Sequence, residues 1–199
     1  MKQAISAIFI AVLGTVTLIQ AQQTPPVGKC SLTLAQAPKI RDVRLGMSSE
    51  EVLKMFPGSS DEPYIRSLLS TADQRFGIVG FSIPTTYLPR PKFAGVNGLS
   101  VVFLDNRLSE YTFTYAGIEW KNVDEFISKF SEAFNLPRPE TWEGSNLPSL
   151  KKLYCQGFEM WASAGAGGSW ITIRIPEAQQ IVRDRQEAQK EKARKEFKP

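Results

Sequence analysis

Two stretches of this chain open a helix in the same way, and three strand-like runs follow each of them. The first reads Ser48-Ser49-Glu50-Glu51-Val52-Leu53-Lys54-Met55-Phe56, the second Asn122-Val123-Asp124-Glu125-Phe126-Ile127-Ser128-Lys129-Phe130. In both, a residue able to cap a helix N-terminus stands three positions before a glutamate, the spacing of a capping box. An apolar pair comes next, then a phenylalanine three residues on, which lays one apolar stripe toward a core. Pro57-Gly58 stops the first helix and Leu136-Pro137 the second. Strand-like runs cover 76–83, 99–104 and 109–115 after the first helix, with Asp105-Asn106-Arg107 as a hairpin signal, and 151–155, 158–163 and 169–176 after the second. The pattern predicts an α+β fold. Two similar helix-then-three-strand units, 38–117 and 118–176, form one antiparallel sheet with the helices packed on one face, and a charged helical tail follows over 177–199.

The N-terminus reads as an export signal. Lys2 precedes an uncharged apolar run from Ala4 to Ile19, and Ile19-Gln20-Ala21 offers a cleavage site near Ala21. The signal is 1–21, and a linker and N-terminal segment occupy 22–37; an uncleaved anchor is the other reading. Val27-Gly28-Lys29 before Cys30 does not suit lipid attachment. Export places the chain in the periplasm or outside the cell, where two cysteines usually pair. Cys30 and Cys155 are therefore either a disulfide closing most of the mature chain into one loop or two buried thiols.

Composition narrows the chemistry. There is no histidine, which removes histidine-based acid–base and nucleophilic dyads, and two cysteines are too few for a four-cysteine metal site. Adjacent carboxylates, Glu50-Glu51 and Asp124-Glu125, sit where they favour a helix dipole and do not face one another. The glycine-rich 163–169 stretch lacks the Lys-Ser/Thr of a phosphate loop and reads as a hairpin. A net charge of +4 is spread over a mixed-charge chain without a recognition motif, so nucleic acid is not an expected partner. No catalytic residue, cofactor or metal is assigned. A protein partner in the envelope or extracellular space is expected, with no transmembrane span in the mature chain.

Strand alternation supplies a candidate contact face. Tyr111, Phe113 and Tyr115 point to the core, as do Ile171, Ile173 and Ile175, which turns Trp170 and Arg174 outward. Phe158, Met160 and Ala162 likewise leave Glu159 and Trp161 on the other side. Trp161, Trp170, Arg174 and Glu159 form the candidate partner-binding set, since Trp and Arg dominate interfaces. A covering by the tail or an insertion would make both tryptophans ordinary core. The proline-rich 84–98 insertion, with Tyr87 and Arg90, extends the contact surface. The alternative is a carbohydrate-binding protein or hydrolase using Trp142 with Glu140 or Glu143.

Leu45-Gly46-Met47-Ser48-Ser49-Glu50-Glu51-Val52 resembles a motif of small exported bacterial domains. The families concerned are the β-lactamase-inhibitor-protein-like domains and the outer-membrane assembly lipoproteins (SmpA/OmlA). The resemblance spans roughly 38–176 and implies a non-enzymatic scaffold that acts by binding proteins. Physically, Gly46 suits a positive φ at a corner, Met47 a core staple and Ser48 a cap.

Overall fold

A computed structural model describes residues 30–71, 76–165 and 167–197; the expected signal, 1–21, and residues 22–29 of the expected linker lie outside them. Among the described residues, seven strands form one sheet in the order β1-β2-β3-β7-β6-β5-β4. They are β1 (Ile78–Ile83), β2 (Val96–Leu104), β3 (Arg107–Tyr115), β4 (Glu143–Gly144), β5 (Leu150–Tyr154), β6 (Glu159–Gly165) and β7 (Gly168–Arg174). Every pairing is antiparallel. Each half is a meander, and the two join where β3 pairs with β7. The α+β class stands, with one strand more than the six expected: Glu143-Gly144 adds a short edge beside Lys151 and Lys152.

Both expected helix starts form. Ser48 accepts from the Glu51 backbone N–H at 3.2 Å, and its own N–H donates to Glu51 Oε2 at 2.7 Å, closing the capping box. Gly46 has φ +83°, and the Gly46-Met47 backbone pairs with Leu108 at 2.8 and 2.7 Å, which anchors the motif to the start of β3. Asn122 caps the second helix by accepting from Glu125 N–H at 2.9 Å, while Glu125 reaches back to Lys121 N–H rather than to the cap itself.

The halves differ in their helices. α1 (Ser49–Leu53) has 5 residues and is supplemented by α2 (Pro63–Thr71), whereas α3 (Val123–Phe134) runs for 12. Val52, Leu53 and Phe56 on one side, and Phe126, Ile127 and Phe130 on the other, enter one core with Phe81, Val101, Phe113, Met160 and Ile171 of the sheet.

The last helix, α4 (Pro176–Glu196), goes elsewhere. Ala178 and Gln179 line a small cavity with Ile78, Val102, Leu104 and Glu110, which alternate with the core-facing residues of β1–β3. α4 therefore crosses the sheet face opposite α1 and α3, so the helices do not all share one face. Arg185 clamps it there: its guanidinium donates to both Asp105 carboxylate oxygens at 2.8 and 2.7 Å and to the Phe76 carbonyl at 2.8 Å. The hydrogen bonds from Arg185 hold the Asp105 pKa below its ordinary value. Beyond Arg185 the helix is almost wholly exposed and continues for about 16 Å at 1.5 Å per residue.

Cys30 and Cys155 are bonded, with Cα atoms 4.8 Å apart and a sequence separation of 125. The bridge lies beside hydrogen bonds that stitch the N-terminal segment to the β5–β6 turn, including Gln156 N–H to the Leu32 carbonyl at 2.9 Å. Replacing both cysteines by serine should lower unfolding free energy by up to about 4 kcal/mol, the loop-entropy scale for so long a closure. Urea denaturation of the double variant beside the oxidised protein measures this; equal midpoints would refute it.

Candidate functional site

The four residues singled out from alternation occupy one sheet face. Across the ladders, Lys152, Trp161, Thr172, Thr112, Ser100 and Ser82 stand in one cross-strand row. Tyr154, Glu159, Arg174, Glu110 and Val102 form the next row, and Ser163, Trp170 and Thr114 the row on the other side. The rows are mostly polar: Thr112 and Thr172 hydroxyls are 2.7 Å apart and those of Ser82 and Ser100 2.8 Å, while the buried indole N–H of Trp161 has no hydrogen-bond partner among the described residues.

Trp161 is held rigidly. Lys152 Nζ lies 4.0 Å from its ring centroid and Arg174 Cζ 3.8 Å, so the indole is stacked between two cations. Arg174 is also ion-paired through Nε to Glu159, whose side chain is 7% exposed against 16% for Arg174. Glu159 is thus a buried partner of Arg174 rather than a surface contact. α4 meets only the Ile78–Val102–Glu110 end of this face; Ser82 and Ser100 stay exposed, and on β5–β7 Trp161 and Trp170 are half-buried while Glu159 and Thr172 are buried.

Other expected positions move inward. Trp142 is 3% exposed and donates its indole N–H to the Pro137 carbonyl at 3.2 Å, so it cannot stack on a sugar beside Glu140 and Glu143. Tyr87 donates to Glu62 Oε2 at 2.9 Å, while Leu88 and Phe93 of the same insertion are core. That insertion contributes packing more than contact surface; Arg90 stays exposed. The glycine-rich stretch is the β6–β7 hairpin, closing at Gly165 opposite Gly168.

Sequence reasoning missed a second surface. A groove of about 790 Å³ runs between α3 and the turns at 39–42 and 92–95. Its floor is aromatic. Trp120 stacks near Phe126 at 5.4 Å between centroids, Phe126 near Phe130 at 6.0 Å, and Phe130 near Phe134 at 4.6 Å. Tyr115 lies 6.0 Å from Phe126 at the sheet side; burial pushes its phenol up to about 12, against the opposing charge of Arg41. The Trp120 indole donates to Ser169 Oγ at 3.2 Å, fixing the ring. The spacing of Phe126 and Phe130 was legible as a core stripe and both are core, at 4% and 7% exposed; that their edges also line a groove was not legible.

The groove's rim is charged. Lys39, Arg41, Lys92 and Lys129 line it with Asp42. Asp42 Oδ1 lies 2.8 Å from Lys39 Nζ and its Oδ2 2.6 Å from Lys92 Nζ. Hydrogen bonds from Lys39 and Lys92, helped by their charge, lower its pKa to about 2. A carboxylate so held is ionised at every ordinary pH and carries no proton to donate. Ile40 and Val43 exchange backbone hydrogen bonds at 3.0 and 2.9 Å, making Arg41-Asp42 the tip of a tight turn with φ +52° and +74°. Such turns favour Asn-Gly; an arginine there costs about 1 kcal/mol of backbone strain.

Comparison with protein-family models, with curated proteins and with solved structures returned no match.

Two stability outcomes follow from these geometries. Glu159→Ala leaves the Arg174 guanidinium without its carboxylate and should cost about 3 kcal/mol in chemical denaturation, while a cost under about 1 kcal/mol would show the pair to be solvent-screened. Arg41→Asn combined with Asp42→Gly relieves the left-handed strain and loses two exposed ion pairs. The net expectation is a raised denaturation midpoint, read from the same curve, and a lowered one would contradict the strain argument.

Proposed function

We propose that this chain is an exported, non-enzymatic module that binds a protein partner through the open β5–β7 part of its sheet. The observation that carries the reading is Trp161, stacked between Lys152 and Arg174 on a face that α4 leaves uncovered. An aromatic side chain already fixed in place loses little freedom on binding, and a neighbouring tryptophan and arginine match the composition of binding hot spots. Trp170, one row away, enlarges the same patch.

Export is supported by the Cys30–Cys155 bridge, a bond of oxidising compartments, and by the apolar run before Gln20. No helix among the described residues is long and apolar enough to cross a membrane. The resemblance of Leu45-Gly46-Met47-Ser48 to exported binding scaffolds points the same way.

The test is crosslinking of the oxidised protein in envelope extract, followed by reconstitution with the purified prey. Trp161→Ala with Trp170→Ala should weaken the reconstituted complex by about 30-fold or more, the scale of a hot spot, measured at a temperature where circular dichroism shows the variant folded. A prey bound equally by the double variant would remove the sheet face from the reading. Substrate turnover lost on replacing one carboxylate would overturn the non-enzymatic assignment.

A further inference from the structure

The groove beside α3 is separate from the sheet face, and its chemistry is different. The floor is built of rings, and the rim carries Lys39, Arg41, Lys92 and Lys129, with Asp42 between two of the lysines and Glu132 3.4 Å from Lys129. Ile118 at its mouth is 56% exposed, an apolar side chain left in water at the edge of an apolar floor. About 790 Å³ is the size of a small-molecule site, within the usual range of about 300–1,000 Å³.

The rim shows how it handles a carboxylate. Asp42 already occupies the space between Lys39 and Lys92, so the two ammonium groups converge on a single carboxylate-sized position. Arg41 is the remaining unsatisfied cation on this turn. Its guanidinium makes a 3.5 Å hydrogen bond to the Ala94 carbonyl and pairs with no carboxylate among the described residues. Its backbone is held in a left-handed conformation that arginine disfavours, at the point where the side chain overhangs the groove. Strain retained at a charged loop tip fits a ligand-holding role better than a packing one.

We propose that this groove binds an amphiphilic organic carboxylate, with its apolar body on Trp120, Phe126, Phe130 and Phe134 and its carboxylate at Arg41 and the Lys39–Lys92 pair. The aromatic floor supplies the affinity through apolar burial, and the rim selects the head group by charge. Asp42 then acts as an internal competitor, because it neutralises the lysines that the ligand's head group would otherwise meet. Removing its charge strengthens binding, which a merely structural ion pair would not do.

The probe is dodecanoate, titrated calorimetrically into the oxidised protein below its micellar concentration, with dodecyl maltoside and dodecyltrimethylammonium as neutral-head and cationic-head comparators. The expected result is saturable one-to-one binding of dodecanoate, about tenfold tighter than the neutral amphiphile, with the cation weakest. Arg41→Asn, which relaxes the turn and so should not unfold the protein, is expected to weaken dodecanoate about tenfold. Asp42→Asn, also compatible with a left-handed backbone, is expected to tighten it about threefold or more. The Trp161→Ala/Trp170→Ala variant should bind dodecanoate normally, which keeps this result independent of the partner-binding reading. Equal affinity for the three head groups, non-saturable uptake, or an unchanged Arg41→Asn affinity would overturn the proposal. So would saturation by an acidic aromatic peptide where dodecanoate fails, which would give the groove to a protein. A dimer in sedimentation, abolished by Arg41→Asn and unaffected by dodecanoate, would give it to a second copy and equally overturn the proposal.

Discussion

Pairing of β3 with β7 is the ladder on which both halves depend. It sets Tyr111 opposite Ile173 and Phe113 opposite Ile171, all fully buried. From Phe113 ring contacts run one way through Phe93 to Phe56, just after α1, and the other way through Tyr115 to Phe126 on α3. The same strand pair thus supports the helical layer of each half, and the aromatic groove lies where the second of those ring chains reaches the surface. Without this seam, each half would be a short meander with one face unable to bury itself.

The two faces of the sheet solve different problems. On the helix side, apolar alternation fills the core, and the deeply buried Tyr111 hydroxyl is satisfied by the Pro38 carbonyl at 2.6 Å. On the other side, hydroxyl pairs and an ion pair satisfy one another along the rows, so the face stays soluble without a complete cover. Cover is needed only where Ile78, Val102 and Leu104 interrupt that polarity, and there Ala178 of α4 meets them. The charged half of α4 then has no apolar surface to meet.

Local signals carried well into the structure. Two helix starts, six strand positions and the inward and outward sets of β3, β6 and β7 were legible because capping and period-two alternation act over a few residues. Which cover lies over a face was not legible, because alternation distinguishes two sides and says nothing of what meets them. α4 illustrates this: its mixed charges read as a solvated helix, yet Ala178, Val182 and Arg185 seat its first half. Trp142 was misread for a related reason, since a loop tryptophan flanked by glutamates looks exposed until Pro137 offers its carbonyl. The groove was invisible because Arg41, Lys92 and Lys129 are far apart in sequence and meet only in the fold.

The long closure between Cys30 and Cys155 also has a temporal side. A chain is made from its N-terminus, so Cys30 arrives first and waits for 125 further positions before its partner exists. The central ladder waits as well, since β7 follows Cys155. The joining of the sheet is therefore postponed until β5 to β7 (150–174) have been made, the pattern of a slow, non-local folding reaction. In that interval Cys30 is a lone thiol and one side of β3 an unpaired edge, and they become protected only when Cys155 and then β7 have arrived. Oxidation of this pair is in effect a completion mark: a truncated molecule lacking Cys155 cannot acquire it.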